Sequence, residues 1–257
     1  MKCAGKIDYL EFWATRHCNL NCRGCSSCSP ISEPWFLREE MLVRDLRRLS
    51  DLGLEVGRFN VLGGEPLLHP KLWELLECVK RFFPEADLGV ITNGLLIPDL
   101  DDGFGAFCRE RDVEFCVTLF PVLSEQRRSR IVDVLKGWGV RFKLTDKRRF
   151  NKILTRNRTA SRDAVLLACG CKGACNLFDG TVSRCTVPMV VETLNRRFGC
   201  GLLEGGRLNI HSAEAAEIVR FLQTPNESCG NCSARPVKIP WAQVGDEPKE
   251  SDWIIGG

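Results

Sequence analysis

Tyr9-Leu-Glu-Phe-Trp-Ala-Thr-Arg-His-Cys18-Asn-Leu-Asn-Cys22-Arg-Gly-Cys25 decides the reading of this chain. Residues 9–14 form an apolar, strand-like run that empties into a loop carrying three thiols at CxxxCxxC spacing. Asn19, Asn21 and Gly24 suit a tight loop that wraps its cysteines around one object. Three thiolates can hold three corners of a four-iron cluster and leave the fourth iron open to another ligand. A structural zinc would need a fourth close ligand to complete its tetrahedron. Cys28 is near enough in sequence, but ligation there would block the open position, so Cys28 is read as non-ligating.

Outward from this loop, short apolar runs alternate with amphipathic helical stretches. Helix is predicted over 37–52, where Leu37, Met41, Leu42, Leu46 and Leu49 recur at helical spacing. A second strand over 59–62 stops at Gly63-Gly64-Glu65-Pro66, and a helix over 69–83 has Pro70 near its first turn and Pro84 ending it. Strand 88–91 runs into Thr92-Asn93-Gly94, and 104–111, 115–119, 125–138 and 141–144 continue the rhythm. Such alternation predicts an α/β fold with a parallel sheet and helices outside it. The charged and special residues are expected at the C-terminal ends of the strands, the edge where such folds do chemistry.

The 257 residues allow one large domain, or a medium one with a small companion. With 44% hydrophobic and 27% charged residues, the composition is that of an ordinary globular protein. A net charge of +3 gives no footing for a nucleic-acid partner, and no apolar run is long enough for a membrane span. The N-terminus lacks the apolar core of a signal peptide, so a cytoplasmic location is expected.

The 15 cysteines are numerous, and they are grouped. Cys18, Cys22, Cys25 and Cys28 form one knot, Cys169, Cys171, Cys175 and Cys185 a second, and Cys229 and Cys232 a third. Cys3, Cys78, Cys108, Cys116 and Cys200 are scattered and read as small buried hydrophobes. Between the first and second knots, 147–162 carries seven Lys or Arg and no acid. It is read as a solvated linker or crossover, with a basic lip for an anionic substrate group as the functional alternative. Further on, 176–184 reads as a hairpin turning at Asp179-Gly180, bracketed by Cys175 and Cys185, which the pairing should bring near one another. A helix is predicted over 212–222 with Ser212 as N-cap. The tail from Pro236 is rich in Pro, Gly and charge. His17, His69 and His211 have no partner visible in sequence and are read as structural.

The CxxxCxxC triplet after the first strand, followed by Gly63-Gly64-Glu65-Pro66 after the second, resembles the radical S-adenosylmethionine (radical SAM) superfamily. The resemblance implies a 4Fe–4S cluster on Cys18, Cys22 and Cys25 that chelates SAM and cleaves it to a 5′-deoxyadenosyl radical. It implies that the Gly63-Gly64-Glu65-Pro66 motif receives the SAM amino group. Thr92 and Asn93 would lie near the SAM carboxylate and ribose, with Thr118 a further ribose contact. Many members carry an aromatic residue where this chain has Gly24, which leaves Trp13 or backbone groups for the adenine. The GxIxGxxE motif of some members is absent.

The C-terminal cysteines resemble the twitch domain, a shortened relative of the SPASM domain that holds an auxiliary 4Fe–4S cluster. That resemblance implies Cys185, Cys229 and Cys232 as ligands, with Cys171 or Cys175 favoured over Cys169 for the remaining place. Zinc on four thiolates is the structural alternative. The implied fold is a partial (β/α)6 TIM-like barrel with a small C-terminal cysteine-rich α+β, twitch-like domain. The expected divisions are a barrel core over 1–146, a basic crossover over 147–164, and the auxiliary-cluster domain and tail over 165–257. Implied partners are a sugar-like small molecule or a peptide as substrate, and a flavodoxin- or ferredoxin-type reductant. Radical SAM dehydrogenases with one auxiliary cluster are the nearest analogy, pointing to oxidation or epimerisation of a sugar, cyclitol or nucleotide-sugar-like molecule. Peptide maturation, glycyl-radical activation and a non-catalytic iron–sulfur carrier are the alternatives.

Overall fold

The structure is a computed structural model, and it describes residues 4–257. Cys3 lies outside the described residues. The main sheet has eight strands in two kinds of pairing. Parallel neighbours run β2 (Leu10–Thr15), β4 (Arg58–Gly63), β5 (Asp87–Thr92), β6 (Val113–Leu119) and β7 (Phe142–Asp146). A short parallel pair, β1 (Gly5–Ile7) with β3 (Leu54–Val56), lies outside it. Between the strands come α1 (Glu39–Asp51), α2 (Leu72–Phe82), α3 (Asp102–Glu110) and α4 (Glu125–Trp138). The expected α/β alternation is therefore present, with boundaries shifted by a few residues.

Helices α1 and α4 show the local signals that place them. Ser124 caps α4 by accepting from the Arg127 N–H, and Gly139 ends it in the left-handed region that glycine tolerates. In α1, Leu42, Leu46 and Leu49 make the buried stripe, and Glu39 and Glu40 sit at the favourable positive end of the helix. These stripes pack on one face of the strands, where Leu10, Phe12, Phe59, Val61, Leu88, Val90, Phe115 and Val117 complete the main core.

The opposite face carries a polar row at mid-strand. Glu11, Asn60, Gly89 and Glu114 lie directly beside one another across β2, β4, β5 and β6. All are buried and bonded: the Tyr9 hydroxyl donates to Glu11 at 2.6 Å, Asn60 donates to Tyr9 at 2.6 Å, and Arg58 pairs with Glu114 at 2.6 Å. Polar residues thus occur mid-strand as well as at the strand ends expected from sequence.

Five features differ from expectation. The basic stretch is no free linker: β8 (Arg149–Thr155) is the central strand of a three-stranded sheet, followed by α5 (Arg162–Leu167). The hairpin β9 (Cys175–Phe178) and β10 (Thr181–Ser183) forms with Asp179 and Gly180 both at positive φ, but it joins the main sheet. There β9 runs parallel to β2, and β11 (Arg207–Asn209) adds beyond β10, so N-terminal and C-terminal strands share one sheet. Helix α6 (Val187–Phe198), unforeseen, lies between β10 and β11. Helix α7 (Ala215–Gln223) starts after the predicted point, because the Ser212 hydroxyl bonds the Asn209 carbonyl instead of capping. The tail forms β12 (Cys232–Pro240) and β13 (Ile254–Ile255), which flank β8. No helix among the described residues is long and apolar enough to cross a membrane.

Candidate active site

Cys18, Cys22 and Cys25 occupy the loop that leaves β2, packed with Leu20, Phe120, Phe150, Ile239 and Trp241. Burial pushes the Cys18 thiol up to about 12, and the nearby Cys25, Glu65 and Cys22 raise it further against a hydrogen bond from the Leu20 N–H. Cys22 is pushed by burial up to about 11, with Cys25 adding to the rise and the Trp241 N–H opposing it. The sheltered Cys18 and Cys22 thiols resist ionising on their own, and bound iron would supply the positive charge that ionises them. The donor set therefore fits a thiolate-bound metal group. Cys28 faces away into a separate apolar cluster with Trp13, Val190 and Cys200. Trp13 is 1% exposed, its N–H donates to Asn176 at 2.9 Å, and Arg16 lies over its ring. That enclosure removes Trp13 from an adenine contact and leaves Phe120, Phe150 and Trp241 as the aromatic rings beside Cys22.

The glycine pair is required by backbone contact within the chain. A Cβ on Gly63 would stand 2.1 Å from the Thr15 carbonyl oxygen, and one on Gly64 would stand 2.0 Å from that of His17. Across this close approach the Gly64 N–H donates to Thr15 and the Glu65 N–H to His17, both at 2.8 Å. The glycines let the turn after β4 lock onto the entry to the cysteine loop.

Glu65 is fully buried. Its carboxylate accepts from the Leu67 N–H at 3.0 Å, the Thr92 hydroxyl at 2.6 Å and the Asn93 N–H at 2.8 Å. Burial pushes its pKa up to about 7 while those three donors hold it down. Pro66 begins the 3-10 turn Pro66–Leu68 that presents the Leu67 N–H. Thr92 and Asn93 are thus drawn to Glu65, and the Asn93 amide reaches on to Asn19 in the cysteine loop at 2.7 Å. Thr118 ends up half-buried near the end of β6. His69 bonds the Leu37 carbonyl and the Lys71 N–H, a structural role, and His211 pairs with Asp45.

Five further cysteines line one cavity: Cys169, Cys171, Cys185, Cys229 and Cys232, walled by Ile153, Val165, Leu166 and Val187. Burial drives Cys185 up to about 12, with Cys171, Cys229 and Cys169 adding, and drives Cys232 higher still, with Cys185, Cys171, Cys169 and Cys229 adding. Cys175 is not among them. In the hairpin register Ser183 pairs with Asn176, which puts Cys175 opposite Arg184 and out of step with Cys185. A one-residue offset changes the face. Cys175 consequently packs with Leu177 in the main core, and its charged neighbours are Arg184 and Glu11. The expectation that pairing brings Cys175 to Cys185 is corrected, and Cys169 joins the set. Among the described residues no three His, Cys, Asp or Glu converge closely enough to hold a single ion.

Residues 14–134, which carry the cysteine loop, the glycine turn and Thr92-Asn93, match the Radical SAM superfamily. This part of the chain is a radical SAM domain. Curated relatives include the GTP 3′,8-cyclase of Nostoc punctiforme, 28% identical over 141 residues, which take in 51% of this chain and 43% of that one. That of Aliarcobacter butzleri is 34% identical over 95 residues, 36% of this chain and 29% of that one. The chain spans less than half the length of these relatives. Among solved structures, BtrN in complex with AdoMet and 2-DOIA has a TM-score of 0.57 at 17% identity, over 86% of this chain and 83% of that one. At that identity the likeness is one of fold, and it extends beyond the radical SAM domain into the cysteine-rich part. The superfamily uses a 4Fe–4S cluster and SAM.

Two residues of this site were not singled out in sequence. Trp241 donates its indole N–H to the Cys22 sulfur at 3.1 Å from a tail read only as rich in Pro, Gly and charge. Lys147 sits over the Phe150 ring at 4.9 Å, and its charge reaches both Cys22 and Cys171. In sequence it was one cation among seven.

Proposed function

We propose that this protein is a radical SAM enzyme that takes a hydrogen atom from a small hydroxyl-bearing molecule, a sugar, cyclitol or nucleotide-sugar-like compound, and oxidises or epimerises it. When bound, the 4Fe–4S cluster with SAM supplies the 5′-deoxyadenosyl radical, and an auxiliary cluster supplies a second redox centre. Cys18, Cys22 and Cys25 hold the first. Cys185, Cys229, Cys232 and the partly buried Cys171 hold the second, in a twitch-like arrangement, with Cys169 beside them. The single observation behind this reading is that Lys147 lies within electrostatic reach of both cysteine sets, Cys22 on one side and Cys171 on the other. Lys147 would favour a substrate that carries a negatively charged or oxygen-rich group.

The remaining residues position and shield. Gly63 and Gly64 fix the turn against the cysteine loop, and Glu65 ties that turn to Thr92 and Asn93. With the Glu65 carboxylate turned inward, main-chain groups of Gly63–Pro66 are what remains to receive the SAM amino group. Phe120 and Phe150 stack 6.0 Å apart beside the loop and keep water from the thiols. The fold shared with BtrN, whose structure holds AdoMet and 2-DOIA, favours a small-molecule substrate over a peptide. Likeness to the GTP 3′,8-cyclases covers only about half the chain and leaves the auxiliary half free to differ. A flavodoxin- or ferredoxin-type protein would deliver the electron.

The test is 5′-deoxyadenosine formation by anaerobically reconstituted protein with SAM and dithionite, beside Cys18→Ala. Production that vanishes in the variant and quickens with a cyclitol or aminocyclitol supports the reading. Iron-loaded wild-type protein that neither binds nor cleaves SAM would overturn it, in favour of an electron carrier.

A further inference from the structure

Segment 241–253 folds back onto the cysteine loop and clasps it. The Arg23 N–H donates to the Ala242 carbonyl at 2.8 Å, and the Val244 N–H donates to the Asn21 carbonyl at 2.7 Å. Arg23 pairs with Asp252 at 2.9 Å, and the Trp253 indole N–H donates to the Cys25 carbonyl at 2.9 Å. One contact in the clasp goes to sulfur. At 3.1 Å, the Trp241 indole N–H to Cys22 Sγ is the shortest hydrogen bond to a cysteine sulfur among the described residues. Cys18 receives only the Leu20 N–H at 3.4 Å and, at 4.0 Å, an Asn93 amide already committed to Asn19.

An indole N–H can only donate, and it has no competing role as an acceptor. Trp241 is fixed by its main-chain N–H, which donates to the Arg148 carbonyl at 2.8 Å, and by its ring against Phe120 at 6.0 Å. It therefore aims a preset dipole at one sulfur. The Cys22 Sγ stands here for an iron-bound thiolate. A donor on that sulfur stabilises the more negative, reduced cluster over the oxidised one, since hydrogen bonds to ionised groups strengthen with charge.

We propose that Trp241 is a positioning residue of the radical SAM cluster: its indole N–H binds the Cys22 sulfur and raises the reduction potential of the cluster. This rests on the proposal that Cys18, Cys22 and Cys25 hold that cluster. Neither the cysteine motif nor the glycine turn contains the residue, which lies far along the chain.

The test compares full-length, reconstituted wild type with Trp241→Phe and Trp253→Phe. The reduction potential is read by EPR from the cluster whose signal changes on adding SAM, which separates it from an auxiliary cluster. Trp241→Phe should keep its iron and its SAM-responsive signal while the one-electron reduction constant falls about tenfold, which is about 59 mV more negative. Trp253→Phe loosens the same clasp without touching sulfur and should leave the potential unchanged. In wild type carrying nitrogen-15 in the indole ring, pulsed EPR of the reduced cluster should show a nitrogen coupling that Trp241→Phe removes. That labelled wild-type measurement stands even if the variant fails to load, and absence of the coupling would overturn the inference. So would an unchanged potential in Trp241→Phe, or an equal shift in both variants. Wild type with no SAM-responsive signal would instead sink the cluster assignment itself.

Discussion

Cys18, Cys22 and Cys25 belong to one loop, whereas the second set gathers Cys169 and Cys171 ahead of the hairpin, Cys185 after it, and Cys229 and Cys232 at the entry to β12. In the first site the ligand spacing is carried by the chain itself, and the surrounding fold needs only to brace it. The second site has no such local template. Its geometry exists only when a hairpin, α5 and the start of β12 are all in place. The local site is legible from spacing alone and depends on backbone fit; the dispersed site depends on tertiary assembly, and only the family resemblance pointed to Cys171, Cys185, Cys229 and Cys232.

Gly64→Ala should break the first site most severely. Its Cβ would sit 2.0 Å from the His17 carbonyl oxygen, so turn and cysteine loop must separate. The expected cost exceeds about 4 kcal/mol, in the range reserved for buried backbone conflict. Iron and sulfide analysis should show loss of the SAM-responsive cluster with the second site still loaded. Equal loss at both sites would mean that the two are not independent.

Cys232→Ala and Cys175→Ala sharpen the same contrast within the second half. The first should remove the auxiliary iron, about half of the total, while 5′-deoxyadenosine is still formed. The second should leave the iron unchanged and cost roughly 1 kcal/mol of stability, as the loss of a small buried hydrophobe does. Iron lost from Cys175→Ala would return Cys175 to the ligand set.

Glu65 offers a test through pH. Its folded pKa of about 7 lies above the ordinary 4.5, so between those values the folded chain holds a proton that the unfolded chain releases. Stability should therefore fall as pH rises from about 4.5 to about 7 and level off above, by roughly 3 kcal/mol at ~1.36 kcal/mol per unit. Denaturant unfolding of wild type and Glu65→Gln between about pH 5 and 8 measures the slope. Parallel curves for the two proteins would show that another group carries it.

Smallest is Arg23→Ala, which removes the pair with Asp252 from a site where Arg23 is partly exposed. About 0.5–1 kcal/mol is expected, with the SAM-responsive signal retained.

The same division explains what could be read in advance. The strand–helix rhythm, the cysteine loop and the Asp179-Gly180 turn follow from spacing within a few residues, and the structure has them. Helix α6 was open to reading, with Pro188 in its first turn and Gly199 at its end, but its valine-rich face hid the period. Strand β8 was not, because a run of cations becomes a central strand only when β12 and β13 supply partners from far along the chain. Cys175 depended on a register offset of one residue, and Trp241 on a fold-back that no spacing encodes.

That fold-back has a consequence in time. Cys22 and Trp241 are 219 residues apart in sequence, and Cys25 and Trp253 are 228 apart. At synthesis rates of about 5–20 residues per second, the thiol loop emerges on the order of ten to forty seconds before its clasp exists. Throughout that interval the three thiols lack the clasp that covers them in the folded chain. A chain that stops ahead of Trp241 would carry the cysteine loop without the indole N–H that reaches Cys22.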